Sequence, residues 1–353
     1  MIRVGVIARA DLTGLGIQSR NWVRLLKPHK VVVIDSSYFN NNEQHFYWYA
    51  TQKNVLHING FIRDHQIDQI LDNIDVLLTF EIPYNYKLIS RARERGIKTI
   101  IQNNWEFTDY LQQPSLPFPD LLVNHSRWNL DKQKEYWPNI TDYCPTPVFV
   151  DDYMNVFLEN NDREPEVIRF LHIAGRKTYE DRNGTKDLMR AVLSIPPEIK
   201  FELVIKTQTA ELSNIIDSRI TIDRSSPTDE KDLYRGFDAM IMPRRYGGAC
   251  MPMVEALASG LPVIMTDIDP NNKILRPEWL VPADKVTDFM ARTKIDVYSA
   301  RNIDLAARIA QFAIMDRNMI LAYKLLAREI AVGSYSDQTV KHKWSLLLQK
   351  LGL

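Results

Sequence analysis

Cysteine is almost missing from this 353-residue chain, with only Cys144 and Cys250 present. There is no CxxC and no Cys/His cluster at zinc spacing, so a disulfide framework and a structural zinc site are set aside. The pair reads as two free thiols in a reducing compartment. Net charge is missing too, with 44 Lys and Arg against 44 Asp and Glu. Neither part is polarised: residues 1–160 carry 16 basic and 18 acidic side chains, and residues 161–353 carry 28 and 26. That argues against a strongly basic nucleic-acid binder or an acidic tail, and leaves room only for a local patch. No apolar run approaches the ~20 residues needed to span a bilayer. The opening run Met1-Ile2-Arg3-Val4-Gly5-Val6-Ile7-Ala8 is too short and too β-branched for a signal peptide. The expectation is a cytoplasmic protein. No Gly-Lys-Ser/Thr and no Gly-x-Ser-x-Gly occurs, which sets aside P-loop chemistry and acyl-transfer hydrolysis. Internal repeats and low-complexity tracts are likewise missing.

What the chain has is alternation. Short β-branched runs stand at Arg3–Ala8, Lys30–Asp35, Val55–Asn59, Val76–Phe80, Thr99–Gln102 and Asp120–Asn124. They return at Ile168–Ala174, Phe201–Lys206, Arg219–Ile222, Ala239–Met242 and Pro262–Thr266. Continuous Val, Ile and Leu is how strands covered on both faces of a parallel sheet read. Helical spacing falls between them, at Gln18–Leu26, His65–Leu71, Tyr86–Arg95, Lys186–Leu193 and Glu230–Tyr234. The Pro- and Asn-rich stretch Tyr143–Glu166 interrupts the pattern and reads as a linker. The length, at roughly 150 residues per domain, also suggests two domains. The expectation is an α/β protein with two doubly wound, Rossmann-like domains, residues 1–150 and residues 166–334, and a C-terminal helix at 335–353 that packs back on the N-terminal domain. Ligands of such folds bind at the carboxyl ends of the strands, which predicts a central cleft that both domains face.

The first strand is followed by Asp11-Leu12-Thr13-Gly14-Leu15-Gly16-Ile17-Gln18-Ser19. Gly14 and Gly16 let a backbone approach a ligand, and the helix start that follows favours an anion. The stretch also mimics the dinucleotide fingerprint, with Ser19 in place of the third glycine and Asp35 where a ribose-binding acid would stand. An NAD(P)-dependent oxidoreductase is therefore an alternative reading. Five residues separate Ala8 from Gly14, whereas a dinucleotide turn follows its strand at once, so contact with an anion or sugar is preferred.

The most informative stretch is Met242-Pro243-Arg244-Arg245-Tyr246-Gly247-Gly248-Ala249-Cys250-Met251-Pro252-Met253-Val254-Glu255-Ala256-Leu257-Ala258-Ser259-Gly260-Leu261-Pro262-Val263. A strand ends, a small-residue turn follows, and a helix begins near Pro252, which suits a first helical turn. That leaves the N–H groups around Ala249, Cys250 and Met251 open to hydroxyls or phosphate. The turn at Gly247 is expected to face solvent. The run from Glu255 to Val263 resembles the donor-site motif of family 4 glycosyltransferases of the GT-B fold (glycosyl transferases group 1). Ile173-Ala174-Gly175-Arg176, with Asn183-Gly184 opening a helix after it, resembles the family's second motif.

The resemblance implies an enzyme, a hexosyl- or pentosyltransferase. It would use a nucleotide sugar as co-substrate, with no further cofactor, and transfer with retention. Arg176 would hold the diphosphate and Glu255 the ribose hydroxyls. The N–H groups of Gly248, Ala249, Cys250 and Met251 would hold the sugar, and Gly16, with Gly14, would let the first loop close on the diphosphate. Three departures stand out. Gly247 falls where the family has a glutamate linked to the sugar, which keeps an inactive sugar-nucleotide-binding protein as an alternative. Asn183 falls at the family's donor lysine, leaving Lys177, Arg182, Lys206, Arg244 or Arg245 to supply its charge. The stretch Gln102-Asn103-Asn104-Trp105-Glu106 has no histidine where many members place one, so Asn104 and Glu106 are the candidates there. The acceptor is open among a glycan, a lipid, a protein and a hydroxymethylated DNA base, the last because the glycine loop and the Trp105-Glu106 region resemble phage-type members.

Asp267-Ile268-Asp269 has the form of a metal-binding pair but stands at a strand end with no further oxygen ligands in view, so no metal is expected. His125, beside Ser126, reads as structural. The aromatic run Phe46-Tyr47-Trp48-Tyr49 reads equally as core or as a stacking surface.

Overall fold

The structure is a computed structural model, and it describes all residues except Met1, 40–42, Pro165, 176–180, 208–216, Ser226 and Thr228. The chain divides into two compact units. The first comprises Met1–Pro147, Ala291–Thr293 and Asp337–Leu353, and the second Val148–Met290 and Lys294–Ser336.

The first unit is built on a seven-stranded parallel sheet. Its strands are β1 (Val4–Arg9), β2 (Lys30–Asp35), β3 (Val55–Asn59), β4 (Val76–Phe80), β5 (Lys98–Asn103), β6 (Leu121–Asn124) and β7 (Thr141–Tyr143). They lie in the order β3-β2-β1-β4-β5-β6-β7, with the topological switch between β1 and β4. Helices α1 (Gly14–Leu26), α2 (Ile67–Leu71), α3 (Lys87–Glu94) and α4 (Leu130–Tyr136) connect them. The alternation along β2 shows why both faces are covered. Val31 and Val33 enter one core together with Trp22, and Val32 and Ile34 enter another with Ile70 and Leu88.

In the second unit, α5 (Met154–Asp162) leads into a six-stranded parallel sheet. It contains β8 (Arg169–Gly175), β9 (Glu202–Thr207), β10 (Ile220–Asp223), β11 (Ala239–Met242), β12 (Val263–Thr266) and β13 (Leu280–Val281). The order is β10-β9-β8-β11-β12-β13, with the switch between β8 and β11. Helices α6 (Thr185–Leu193) and α7 (Met251–Ala258) follow β8 and β11. An antiparallel hairpin of β14 (Ala283–Met290) and β15 (Lys294–Ala300) comes next, then α8 (Asn302–Ala313) and α9 (Arg317–Tyr335). The last helix, α10 (Asp337–Lys350), belongs to the first unit, where Trp344 meets Trp22 edge to face with ring centroids 5.4 Å apart.

Two expectations need correction. The stretch read as a linker holds helix α5, fixed because Asn160 is fully buried and donates to the carbonyls of Tyr234 and Ser259, both at 3.0 Å. The segment 335–353 does not start its helix at Tyr335: that residue ends α9, and Ser336 turns extended at ψ 150° before α10 begins. Among the described residues no helix is long and apolar enough to cross a membrane.

Candidate functional site

The switch point of the second sheet brings two loops together, one after β8 and one after β11. The β8 loop turns at Gly175, where φ is +73°. Asn183 fastens it by donating from Nδ2 to the carbonyl of Ile173 at 3.0 Å. Gly184 then opens α6 at φ +72°. A Cβ there would lie 2.9 Å from the carbonyl carbon of Pro243, so glycine is what lets this helix start reach the end of β11. Asp181 caps the same helix, accepting from the N–H of Lys186 at 2.8 Å and of Thr185 at 3.2 Å. The two loops are joined by the N–H of Arg245, which donates to the carbonyl of Arg182 at 2.9 Å.

After β11 the chain makes a tight turn around a buried guanidinium. Arg244 is only 5% exposed. Its Nε donates to the carbonyl of Tyr246 at 3.0 Å and its Nη1 to that of Ala249 at 3.2 Å. With those carbonyls turned inward, the N–H groups of Gly248, Ala249, Cys250 and Met251 make no backbone hydrogen bond among the described residues. They stand at the start of α7, whose dipole adds positive potential there. The guanidinium of Arg182 lies 5.2 Å over the ring of Tyr246.

Glu255 lies on α7, half-buried, and its Oε2 accepts from the hydroxyl of Tyr234 at 2.5 Å. Tyr234 is itself buried at 1% exposure, and burial next to this carboxylate pushes its phenol well above its ordinary range. The phenol therefore stays a donor and holds the carboxylate in one orientation. Beneath the site, His172 of β8 is fully buried, with Nδ1 2.7 Å from the carbonyl of Ile241 and Nε2 2.8 Å from the hydroxyl of Thr185.

The first unit gathers a second polar group at the carboxyl ends of β5 and β6. Asn103 donates to Gln133 at 2.7 Å and to Asn124 at 3.3 Å. Asn104 and Glu106 are both buried, at 7% exposure, and Asn104 Nδ2 donates to Glu106 Oε1 at 3.1 Å. Three buried atoms here, Asn104 Oδ1, Trp105 Nε1 and Asn124 Nδ2, have no hydrogen-bond partner among the described residues. Unpaired buried donors and acceptors are costly unless a ligand or water meets them.

Residues 169–295 match the model of the glycosyl transferases group 1 family. The architecture is similar to a glycosyltransferase of Rickettsia africae (14% identity, 99% and 98% of the two chains covered, TM-score 0.69). It is also similar to Anabaena HepE in complex with UDP-glucose (10%, 99% and 100%, TM-score 0.67). A third likeness is to an α-glucosyltransferase in complex with UDP and a 13-mer DNA containing an HMU base (8%, 100% and 100%, TM-score 0.62). This chain is a glycosyltransferase of the GT-B fold. No curated protein matches it.

Of the residues expected in this glycosyltransferase's donor site, the structure brings Arg182, Gly248, Ala249, Cys250, Met251 and Glu255 to the loops after β8 and β11 or to the helix that follows. Arg176 and Lys177 lie outside the described residues. Lys206 forms an ion pair with Asp223 on the neighbouring strand, which draws that carboxyl down to about 2, so its charge is already balanced. Asn183, at the family's lysine position, braces β8. Gly247 is a correction: the turn is buried rather than solvent-facing, at φ +111°, because Arg182 and Arg244 close over it.

Gly14 starts α1 with open space at its Cβ position, whereas a Cβ at Gly16 would collide with the carbonyl group of Asp11. Glycine at 16 is thus required by the loop's own packing. Asp35, the acid of the dinucleotide alternative, caps the turn after β2 by accepting from the N–H of Ser37 at 2.9 Å. Asp267 accepts from Asn272 at 3.0 Å and Asp269 pairs with Lys273 at 3.4 Å. Sequence reasoning missed Tyr234, which stands far from Glu255 along the chain and carries no local motif.

Proposed function

We propose that this glycosyltransferase takes a sugar from a nucleotide-sugar donor and passes it, with retention and without a metal ion, to a hydroxyl acceptor. The observation that carries the reading is the open row of N–H groups from Gly248 to Met251 at the start of α7, with Glu255 held by Tyr234 further along the same helix. The amides hold the sugar and Glu255 the ribose hydroxyls. Arg176 is assigned the role of binding the diphosphate and stabilising the charge that grows on the leaving group. In the first unit, Asn104 and Glu106 contact the acceptor, supported by the unpaired buried atoms beside them. Uridine nucleotides are the first donors to test, because HepE and the α-glucosyltransferase were observed with UDP-glucose and with UDP. Hydroxymethylated DNA belongs in the acceptor panel on the second of these likenesses, next to glycans, lipids and proteins.

The test is a nucleotide-sugar panel followed by melting temperature and by donor hydrolysis without acceptor. A ligand of the native state raises the melting temperature. At least one nucleotide sugar should do so and be slowly hydrolysed. A panel in which NAD(P) stabilises the protein and no nucleotide or nucleotide sugar does would overturn the reading.

A further inference from the structure

The aromatic run Phe46-Tyr47-Trp48-Tyr49 divides between two roles. Tyr49 is buried and Trp48 packs on the same core, whereas Phe46 and Tyr47 stay at the surface. They have aromatic neighbours there. The turn Ser36–Tyr38 after β2 presents Tyr38 at 76% exposure, Phe39 follows at 37%, and the loop after β3 presents Phe61 at 56%. Phe39 meets Phe61 edge to face with ring centroids 4.8 Å apart, and Tyr38 meets Phe39 in the same way at 5.9 Å. Gly60 seats the cluster. A Cβ there would lie 2.8 Å from a carbon of the Tyr38 ring, so a glycine at φ +71° lets the ring rest on the backbone. Single exposed apolar residues need no explanation, but three joined rings from two loops form a patch for a ligand to cover.

The cluster stands at the carboxyl ends of β2 and β3, on the same rim as the glycine loop after β1 and the polar group after β5. Charge decides what suits it. Asp35 caps the turn that presents Tyr38, and its carboxylate would repel a phosphodiester. Arg9 pairs with Asp11 and Lys87 with Asp64. That leaves Arg63 as the cation beside Phe61 without an ion pair among the described residues, short of the track of Lys and Arg that a nucleic acid requires. A pyranose has C–H groups on its ring faces and hydroxyls around its edge. It covers an aromatic ring with apolar surface and keeps its hydroxyls in water. We infer that the acceptor is a neutral oligosaccharide whose chain lies across Tyr38, Phe39 and Phe61. This rests on the proposed function, in which Asn104 after β5 contacts the acceptor. In the sheet order β3-β2-β1-β4-β5 those two ends of the rim are about 19 Å apart at the usual strand spacing. One sugar ring cannot touch both, so the acceptor is a chain of several.

Binding of the full chain, with and without UDP, to an array of neutral oligosaccharides graded by length tests this. A short single-stranded DNA and vesicles of phosphatidylcholine with phosphatidylglycerol are run alongside. At least one oligosaccharide of several residues should be retained, and its mono- and disaccharide should bind at least about tenfold more weakly, because they reach one end of the rim only. Phe61→Ala and Tyr38→Ala should each weaken that oligosaccharide about tenfold, and Phe61→Trp, which keeps a ring, should retain it. Both side chains are exposed, so an unchanged melting temperature separates a lost contact from a lost fold. An array that retains no neutral oligosaccharide overturns the inference, as does one bound equally well by the parent and both alanine variants. DNA or vesicles retained through Phe61 in place of any glycan overturn it too. In those cases a nucleotide sugar that still binds leaves the glycosyltransferase reading standing. If no nucleotide and no nucleotide sugar binds, that reading falls and this inference with it.

Discussion

Glu255 contributes uniform binding if it holds ribose hydroxyls, because those groups do not change during transfer. Glu255→Gln should therefore raise the donor KM more than it lowers kcat, measured by steady-state kinetics on the best donor. Tyr234→Phe should produce a milder version of the same split, since it removes the phenol that orients the carboxylate. Loss of turnover at unchanged donor affinity would place Glu255 in the chemistry instead. Arg176→Ala should cost about 10²–10³ in kcat while the fold survives, as for the loss of one donor aimed at developing charge. Near-normal turnover would sink the assignment of Arg176. At this scale the sequence was legible where the site is contiguous: Gly248 to Glu255 can be read as a turn and a helix start from spacing alone. It was not legible where residues far apart converge. Nothing local ties Arg182 to Arg244 or Tyr234 to Glu255, and only the parallel order of β8 and β11 brings the two arginines together.

Elements were legible wherever burial forces a pattern. All eleven apolar runs read as strands are strands; most are buried along their length and so almost wholly apolar, while the edge strands β3 and β10 are partly exposed. The hairpin of β14 and β15 escaped for the opposite reason: β14 is exposed along most of its length and mixes Lys285, Thr287 and Asp288 with its apolar residues. Two glycines offer a contrast at helix starts. Gly184→Ala should destabilise the protein by roughly 1–3 kcal/mol, through a positive φ and a clash with Pro243. Gly14→Ala meets open space and should be neutral or stabilising by up to about 1 kcal/mol. Urea unfolding of both variants checks the pair.

His172 ties β8 to β11 and α6, and burial pushes its pKa from 6.5 down to about 4. The unfolded chain binds a proton there that the folded chain refuses. The stability carried by the neutral ring is thus complete above pH 6.5 and is lost as pH falls towards 4, a total of roughly 3 kcal/mol. Urea titrations from pH 7 to pH 4.5 should show this slope, and His172→Gln should flatten it. An unchanged slope in the variant would assign it to other groups.

At the scale of the whole molecule, charge stabilisation is assigned to arginines and helix starts. Transfer should then proceed at an unchanged rate in EDTA. Activity abolished by EDTA and restored by magnesium or manganese would overturn the metal-free reading. The first unit also has a history written into its chain order. Its core contains Trp22 and Val23 from near the start of the sequence, and Val340, Trp344 and Leu347 from α10. On the ribosome the first 147 residues emerge without that helix, and the whole second unit must be made before it appears. Until then the nascent first unit keeps an apolar face around Trp22 uncovered, and exposed faces of this kind are what chaperones hold. The unit translated first is therefore the last to be completed, and a premature stop anywhere before Val340 leaves it unfinished.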